Sequence, residues 1–281
     1  MPSHPLLSFF GLTFALTWTC FVGAAALSSG DLATASGLGG LRWPLLILGA
    51  FAPSAVALAL TAQTQGRPGV RTLLSRLGQW RVGIRWYVFA LAYMAAIKLA
   101  VAVIYRATTG GWPRFGSGYG LGLVLTAIVA AILGGPLGEE IGWRGFALPR
   151  LAAHFGRARA SVILGLVWAA WHLPVFFIPG MDQSGQSLPI YVAQVSALSA
   201  AMAWLYWHTG GSLLLAVLMH TAINQTKDIV PSAVSGASNP WGLSPSPVAW
   251  LTVVLLWVAA GYFLARMPSG TGVDGTPGSS V

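Results

Sequence analysis

The sequence predicts an all-α fold: a polytopic membrane protein of about eight transmembrane helices, with both termini in the cytoplasm. Three observations carry this. Of the 281 residues, 56% are hydrophobic and only 7% are charged, where a soluble domain carries roughly a quarter. The apolar residues gather into stretches of about 17–25 residues, the length needed to cross a bilayer. Arginines collect in alternate loops between those stretches. A chain with so few polar side chains has no coat to offer water, so its solvent is lipid.

The stretches lie near residues 6–27, 43–64, 86–105, 119–141, 160–178, 189–206, 211–230 and 247–265. No basic residue precedes the first, and its apolar run from Pro5 to Leu27 is too long for the core of a signal peptide, so it reads as a retained helix. The second is followed by VRTLLSRLGQW, from Val70 to Trp80, where Leu and Arg repeat at helical spacing. That segment reads either as an amphipathic helix lying on the inner leaflet or as a solvated loop. The fourth stretch continues as helix to about Leu148. Residues 267–281 are rich in Gly, Ser and Pro and read as a disordered tail. Residues 1–266 then form one transmembrane domain without internal repeats.

Basic residues set the orientation, because Lys and Arg favour cytoplasmic loops. Arg67, Arg71, Arg76, Arg81, Arg85, Arg144, Arg150, Arg157, Arg159 and Arg266 fall on one side of the alternation. Arg42, Arg106, Arg114 and Lys227 fall on the other, and Lys98 lies within the third span. The first side is cytoplasmic, and with it both termini. The net charge of +9 does not point to nucleic acid, since no basic stripe is interleaved with exposed aromatics. Flanking basic residues touch lipid head groups instead. The single cysteine, Cys20, excludes an intrachain disulfide and a thiolate metal cluster.

The chain holds two glutamates, and they are adjacent: Glu139 and Glu140, in GGPLGEEIGWRGFALPR near the cytoplasmic end of the fourth span. A charged residue within a span costs on the order of 2–3 kcal/mol, so it is seldom kept without a role. Helical spacing divides the pair. Glu140 and Arg144 share a face four residues apart, acid before base, which favours an ion pair. Glu139 points about 100° away, with no partner three or four residues off. Glu140 is therefore expected to be fixed, and Glu139 free to take and give a proton. Gly134, Gly138 and Gly142 recur every fourth residue and offer a flat face to a neighbouring helix. Pro136 removes a backbone donor just before the acids.

Two histidines lie inside later spans: His172 in VWAAWHLPVFF and His220 in VLMHTAINQT, with Asn224 one turn beyond His220. A lone histidine in a span is often a packing residue bonded to a carbonyl. Five polar groups on three spans are different, because polar groups in lipid must find each other. Peptide hydrolysis needs an activated water and donors for the developing oxyanion. Glu139 and His172 could hold and deprotonate the water, while His220 and Asn224 could donate to the tetrahedral oxygen. No serine stands in a GxSxG context. Zinc held by Glu139, His172 and His220 is the competing chemistry, although no HExxH pair occurs on one helix.

Glu139-Glu140 to Arg144 form an EExxxR motif, Trp168 to His172 an aromatic-xxxH motif, and His220 to Asn224 an HxxxN motif. In order and spacing these resemble the CAAX protease and bacteriocin-processing family of intramembrane peptidases, which includes the type II CAAX prenyl endopeptidases. The resemblance covers about residues 119–230. One departure stands in the second motif, where Trp168 replaces the family's Phe and is read as packing beside the site. The resemblance implies an eight-helix fold and a glutamate-dependent endopeptidase in the cell membrane. In it Glu139 and His172 activate water, His220 and Asn224 stabilise the oxyanion, and Glu140, Arg144 and Trp168 support them. It implies a peptide or protein substrate, membrane-associated or prenylated, and no required metal, with zinc as the alternative. A proton-coupled transporter, or a non-catalytic bacteriocin-immunity or scaffold protein, are the rival readings of the same residues.

Overall fold

A computed structural model describes residues 5–28, 39–116, 121–227, 229–231 and 239–268. Every regular element among the described residues is helical. The α-helices are α1 (Pro5–Ala26), α2 (Arg42–Ser75), α3 (Ile84–Thr109), α4 (Leu121–Leu133) and the short α5 (Pro136–Glu140), which runs into a π-helical segment, Ile141–Ala147. There follow α6 (Leu148–Phe155), α7 (Arg157–Trp171), α8 (Leu188–His208), α9 (Leu213–Thr226) and α10 (Pro247–Ala265). The tail expected after Met267 lies, from residue 269 on, outside the described residues.

Seven stretches are long and apolar enough to cross a membrane, and the chain is an all-α polytopic membrane protein. The seventh of the eight expected spans is the exception: α9 has only 14 residues. At 1.5 Å per residue it covers about 21 Å of a hydrocarbon core about 30 Å thick. Its ends explain the shortness. Gly210 and Gly211, both at positive φ, turn the chain, the Ser212 hydroxyl caps the helix by accepting from the Leu215 amide, and Lys227 follows its last turn. Helix α9 packs among α3, α5 and α8, so the lipid thickness does not set its length.

Local chemistry places the other ends. Ser187 and Ser246 cap α8 and α10 through their hydroxyls, and proline occupies the first turn of both helices, where its missing N–H costs nothing. Helix α2 bends at Gly66, whose φ of 66° and ψ of −165° are outside the helical region. Beyond the bend Val70–Ser75 is helical, followed by a 3₁₀ turn, so of the two readings of that segment the helical one holds. Leu73 is buried there and Arg71 exposed.

The fourth span is not continuous. Gly134 ends its first half, Gly135 adopts a φ of 116°, which favours glycine, and Pro136 opens the second half at the first helical position. The expected close approach along the glycine face is present at two of its three positions. A Cβ on Gly138 would come within 2.9 Å of the Ala50 carbonyl, and one on Gly142 within 2.6 Å of the Pro53 backbone. At Gly134 it would meet only its own helix, at Ala130. Helix α2 therefore lies against the segment that carries the glutamates. On the far side of the bundle Gly165 lets α7 approach Ser196 of α8 closely. The outward faces of α1 to α4 and α10 carry large exposed apolar residues, such as Leu16, Leu48, Leu99, Ile128 and Val258, as lipid requires.

Candidate active site

From Ile141 to Leu148 every residue is buried, and the helix there is wound with the wider π geometry. Such segments are rare, and they occur frequently at functional sites. This one holds Trp143 and Arg144 in reach of the two acids that precede it. Arg144 donates to Glu140 Oε1 at 2.8 Å, and both side chains are fully buried. The same oxygen takes His220 Nδ1 at 2.8 Å, from α9. One carboxylate thus stands between a guanidinium and an imidazole, and the Arg144 guanidinium also lies 4.3 Å from the centre of the Trp168 ring.

Glu139 faces elsewhere, as its helical phase requires. Its Oε2 accepts the Trp168 indole N–H at 2.7 Å and the Trp143 indole N–H at 3.3 Å. Both donors were invisible to a search for charged partners. Trp143 lies four residues on, so the expectation that Glu139 has no partner at that spacing holds for charge and fails for hydrogen bonds. Trp168 does more than pack, because it donates where a phenylalanine could not. Glu139 Oε1 lies beside Gly135, where any Cβ would stand 2.8 Å away.

His172 caps the end of α7, where Pro174 two residues later ends the α-helical geometry. Its Nδ1 lies 2.9 Å from the Trp168 carbonyl. A carbonyl can only accept, so Nδ1 carries the proton, and in the neutral ring Nε2 presents a lone pair. The ring is held between Trp171, with centroids 4.7 Å apart, and Tyr191, at 5.5 Å. Trp171 is itself anchored: its indole N–H donates to Thr17 Oγ1, whose hydroxyl donates to the Gly49 carbonyl. Helices α1 and α2 thereby brace the aromatic wall.

Glu139, Trp168, His172, His220 and Asn224 all line one cavity of about 790 Å³. Glu140 and Arg144 lie behind it. The cavity therefore brings together one carboxylate from the broken fourth span, one imidazole from the end of α7, and an imidazole and an amide from one face of α9. Sequence reasoning missed the two indole donors, Tyr191, and a rim of Gln183, Gln186 and Gln225; glutamines in loops and at helix ends carry no signal of their own. Among the described residues no three His, Cys, Asp or Glu side chains come close enough to share one metal ion.

Residues 120–226 match the family described as Rce1-like, type II CAAX prenyl endopeptidase. A curated protein, CAAX prenyl protease 2 of Methanococcus maripaludis, is 22% identical over 237 residues, spanning 81% of this chain and 85% of the Methanococcus protein. The matched segment contains all seven residues singled out above.

Proposed function

We propose that this chain, an Rce1-like member of the CAAX protease and bacteriocin-processing family and hence a membrane protease, is an endopeptidase of the cell membrane that cleaves by direct attack of water. One observation supports the mechanism above all others: a carboxylate and two imidazoles from three separate helices share a single cavity with Asn224.

In this reading Glu139 and the Nε2 lone pair of His172 hold a water molecule in the cavity. Glu139 takes a proton as the water oxygen bonds to the peptide carbonyl carbon. The carbonyl oxygen becomes an oxyanion and accepts hydrogen bonds from His220 and Asn224. His220 Nδ1–H is committed to Glu140, so the ring donates from Nε2 only when it carries both protons. Glu140 Oε1 fixes the orientation of the ring through that bond, and Arg144 holds Glu140 in place from the other side. The C–N bond then breaks, and the proton on Glu139 passes to the leaving amine. Each step uses groups of this chain, and none is routed through a metal.

The substrate is a polypeptide associated with the membrane. An apolar wall that includes Ile47, Leu125 and Val129 and a glutamine-bearing rim suit an extended segment with apolar side chains, prenylated or not. The test is cleavage of a peptide library by the purified protein in detergent. Glu139→Ala and His220→Ala are each expected to abolish cleavage while the helical content stays; full activity in either variant would remove that residue from the mechanism.

A further inference from the structure

The cavity has a direction. Its lining comes from one end of the bundle: Phe21 near the end of α1, Trp43 at the start of α2, Leu125 in the first half of the broken span, Val175 beyond α7, Tyr191 early in α8 and Asn224 late in α9. Successive spans alternate in direction, α4 and α5 being the two halves of one span, so these positions all lie toward the same face. The rim there is open, with Asp182 exposed and Trp43 61% exposed.

The opposite end is closed. Below Glu139 the π segment is buried throughout, and Leu73 of α2 and Leu213 of α9 press on Gly145, where a Cβ would meet them at 2.8 and 3.2 Å. Arg76 donates to the Tyr206 hydroxyl at 2.6 Å and ties α2 to α8 at that end. The exposed arginines gather at this closed end: Arg67, Arg71, Arg81, Arg85, Arg159 and Arg266. The open end has Arg106 and Arg114 exposed, while Lys227 is paired with Asp182. Basic residues mark the cytoplasmic side.

We infer that the catalytic cavity opens to the non-cytoplasmic side of the membrane, so that its substrates are polypeptides presenting a segment at that face: exported peptides, or the outer ends of membrane-anchored chains. This deepens the peptidase reading and rests on it. The rim fits the class. Gln183, Gln186 and Gln225 line it with uncharged amides, that of Gln186 donating to the Asp182 carbonyl, and the Asp182–Lys227 pair cancels its own charge, so the entrance demands no charged substrate. Trp43 and Ile47 on one side, and Leu125 and Val129 on the other, are exposed while lining the cavity. They give an apolar side chain a path in from the outer leaflet.

The orientation is tested without using activity. With Cys20 replaced by Ala, Asp182→Cys and Ala153→Cys are expressed in a bacterial host and treated as spheroplasts with a membrane-impermeant maleimide, before and after permeabilisation. Ala153 is exposed at the arginine-rich end, and its replacement leaves the charge bias intact. The expected result is full labelling of Asp182→Cys before permeabilisation and loss of nearly all labelling of Ala153→Cys until afterwards. The reverse pattern, or equal labelling of both in intact spheroplasts, overturns the inference. Cleavage of the peptide library in detergent reports separately on the peptidase reading, so failure of one is distinguishable from failure of the other.

Discussion

Replacing Glu140 by Gln separates what holds the site together from what performs the chemistry. Glu140 and Arg144 are both 0% exposed and 2.8 Å apart, and Glu140 Oε1 also holds His220. Removing one partner of a buried pair leaves an uncompensated charge, at a cost of about 3–5 kcal/mol. Gln keeps an oxygen and similar size, so the loss should fall near the lower end, about 3 kcal/mol, or roughly a hundredfold in the folding equilibrium. Thermal unfolding in detergent micelles, followed by tryptophan fluorescence, should show a clear fall in melting temperature. Replacing Arg144 by Met in the same chain removes the orphaned cation, and most of the stability should return. Activity should not return, because the carboxylate that holds His220 in place is still absent. Wild-type stability in Glu140→Gln, or a double variant that regains both stability and cleavage, would refute the reasoning.

Other perturbations bear on separate parts of the site. Trp168→Phe removes the 2.7 Å hydrogen bond to Glu139; a bond to a charged group contributes about 1.5–3 kcal/mol, so kcat/KM should fall roughly 10- to 100-fold, and Trp143→Phe, which loses the 3.3 Å bond, should fall less. Equal kcat/KM in wild type and Trp168→Phe would show that the indole N–H is not used. Gly142→Ala drives a methyl group to 2.6 Å from the Pro53 backbone, and overpacking of this kind costs about 1–3 kcal/mol; an unchanged melting temperature would contradict the packing described. Prolonged incubation with a chelator should leave cleavage intact, whereas loss of activity restored by added zinc would establish the metal-dependent alternative.

Much of the site is legible in the sequence because lipid makes polar residues scarce. Glu139 and Glu140 are the chain's two glutamates, and the 100° step between them places one on the Arg144 face and the other toward the cavity. His220 and Asn224 share a face by the same periodicity. What the sequence does not reveal is contributed by residues that look ordinary in a membrane helix. Trp143 and Trp168 pass as apolar bulk until their N–H groups are seen to point at a carboxylate. The break at Gly135 depends on a positive φ that a Gly-Gly-Pro run permits without dictating. The shortness of α9 goes with its position among other helices, which hydropathy does not register.

The central claim is that Glu139 and the imidazoles beside it turn one water molecule into the nucleophile. The most direct measurement is the turnover of purified Glu139→Gln on a peptide cleaved by the wild type, with melting temperature recorded alongside. Positioned general bases contribute about 10²–10⁴-fold, so the account predicts a loss of kcat in that range with the fold retained. A well-folded Glu139→Gln protein that turns over within about threefold of the wild type, far short of a general base's contribution, would contradict it.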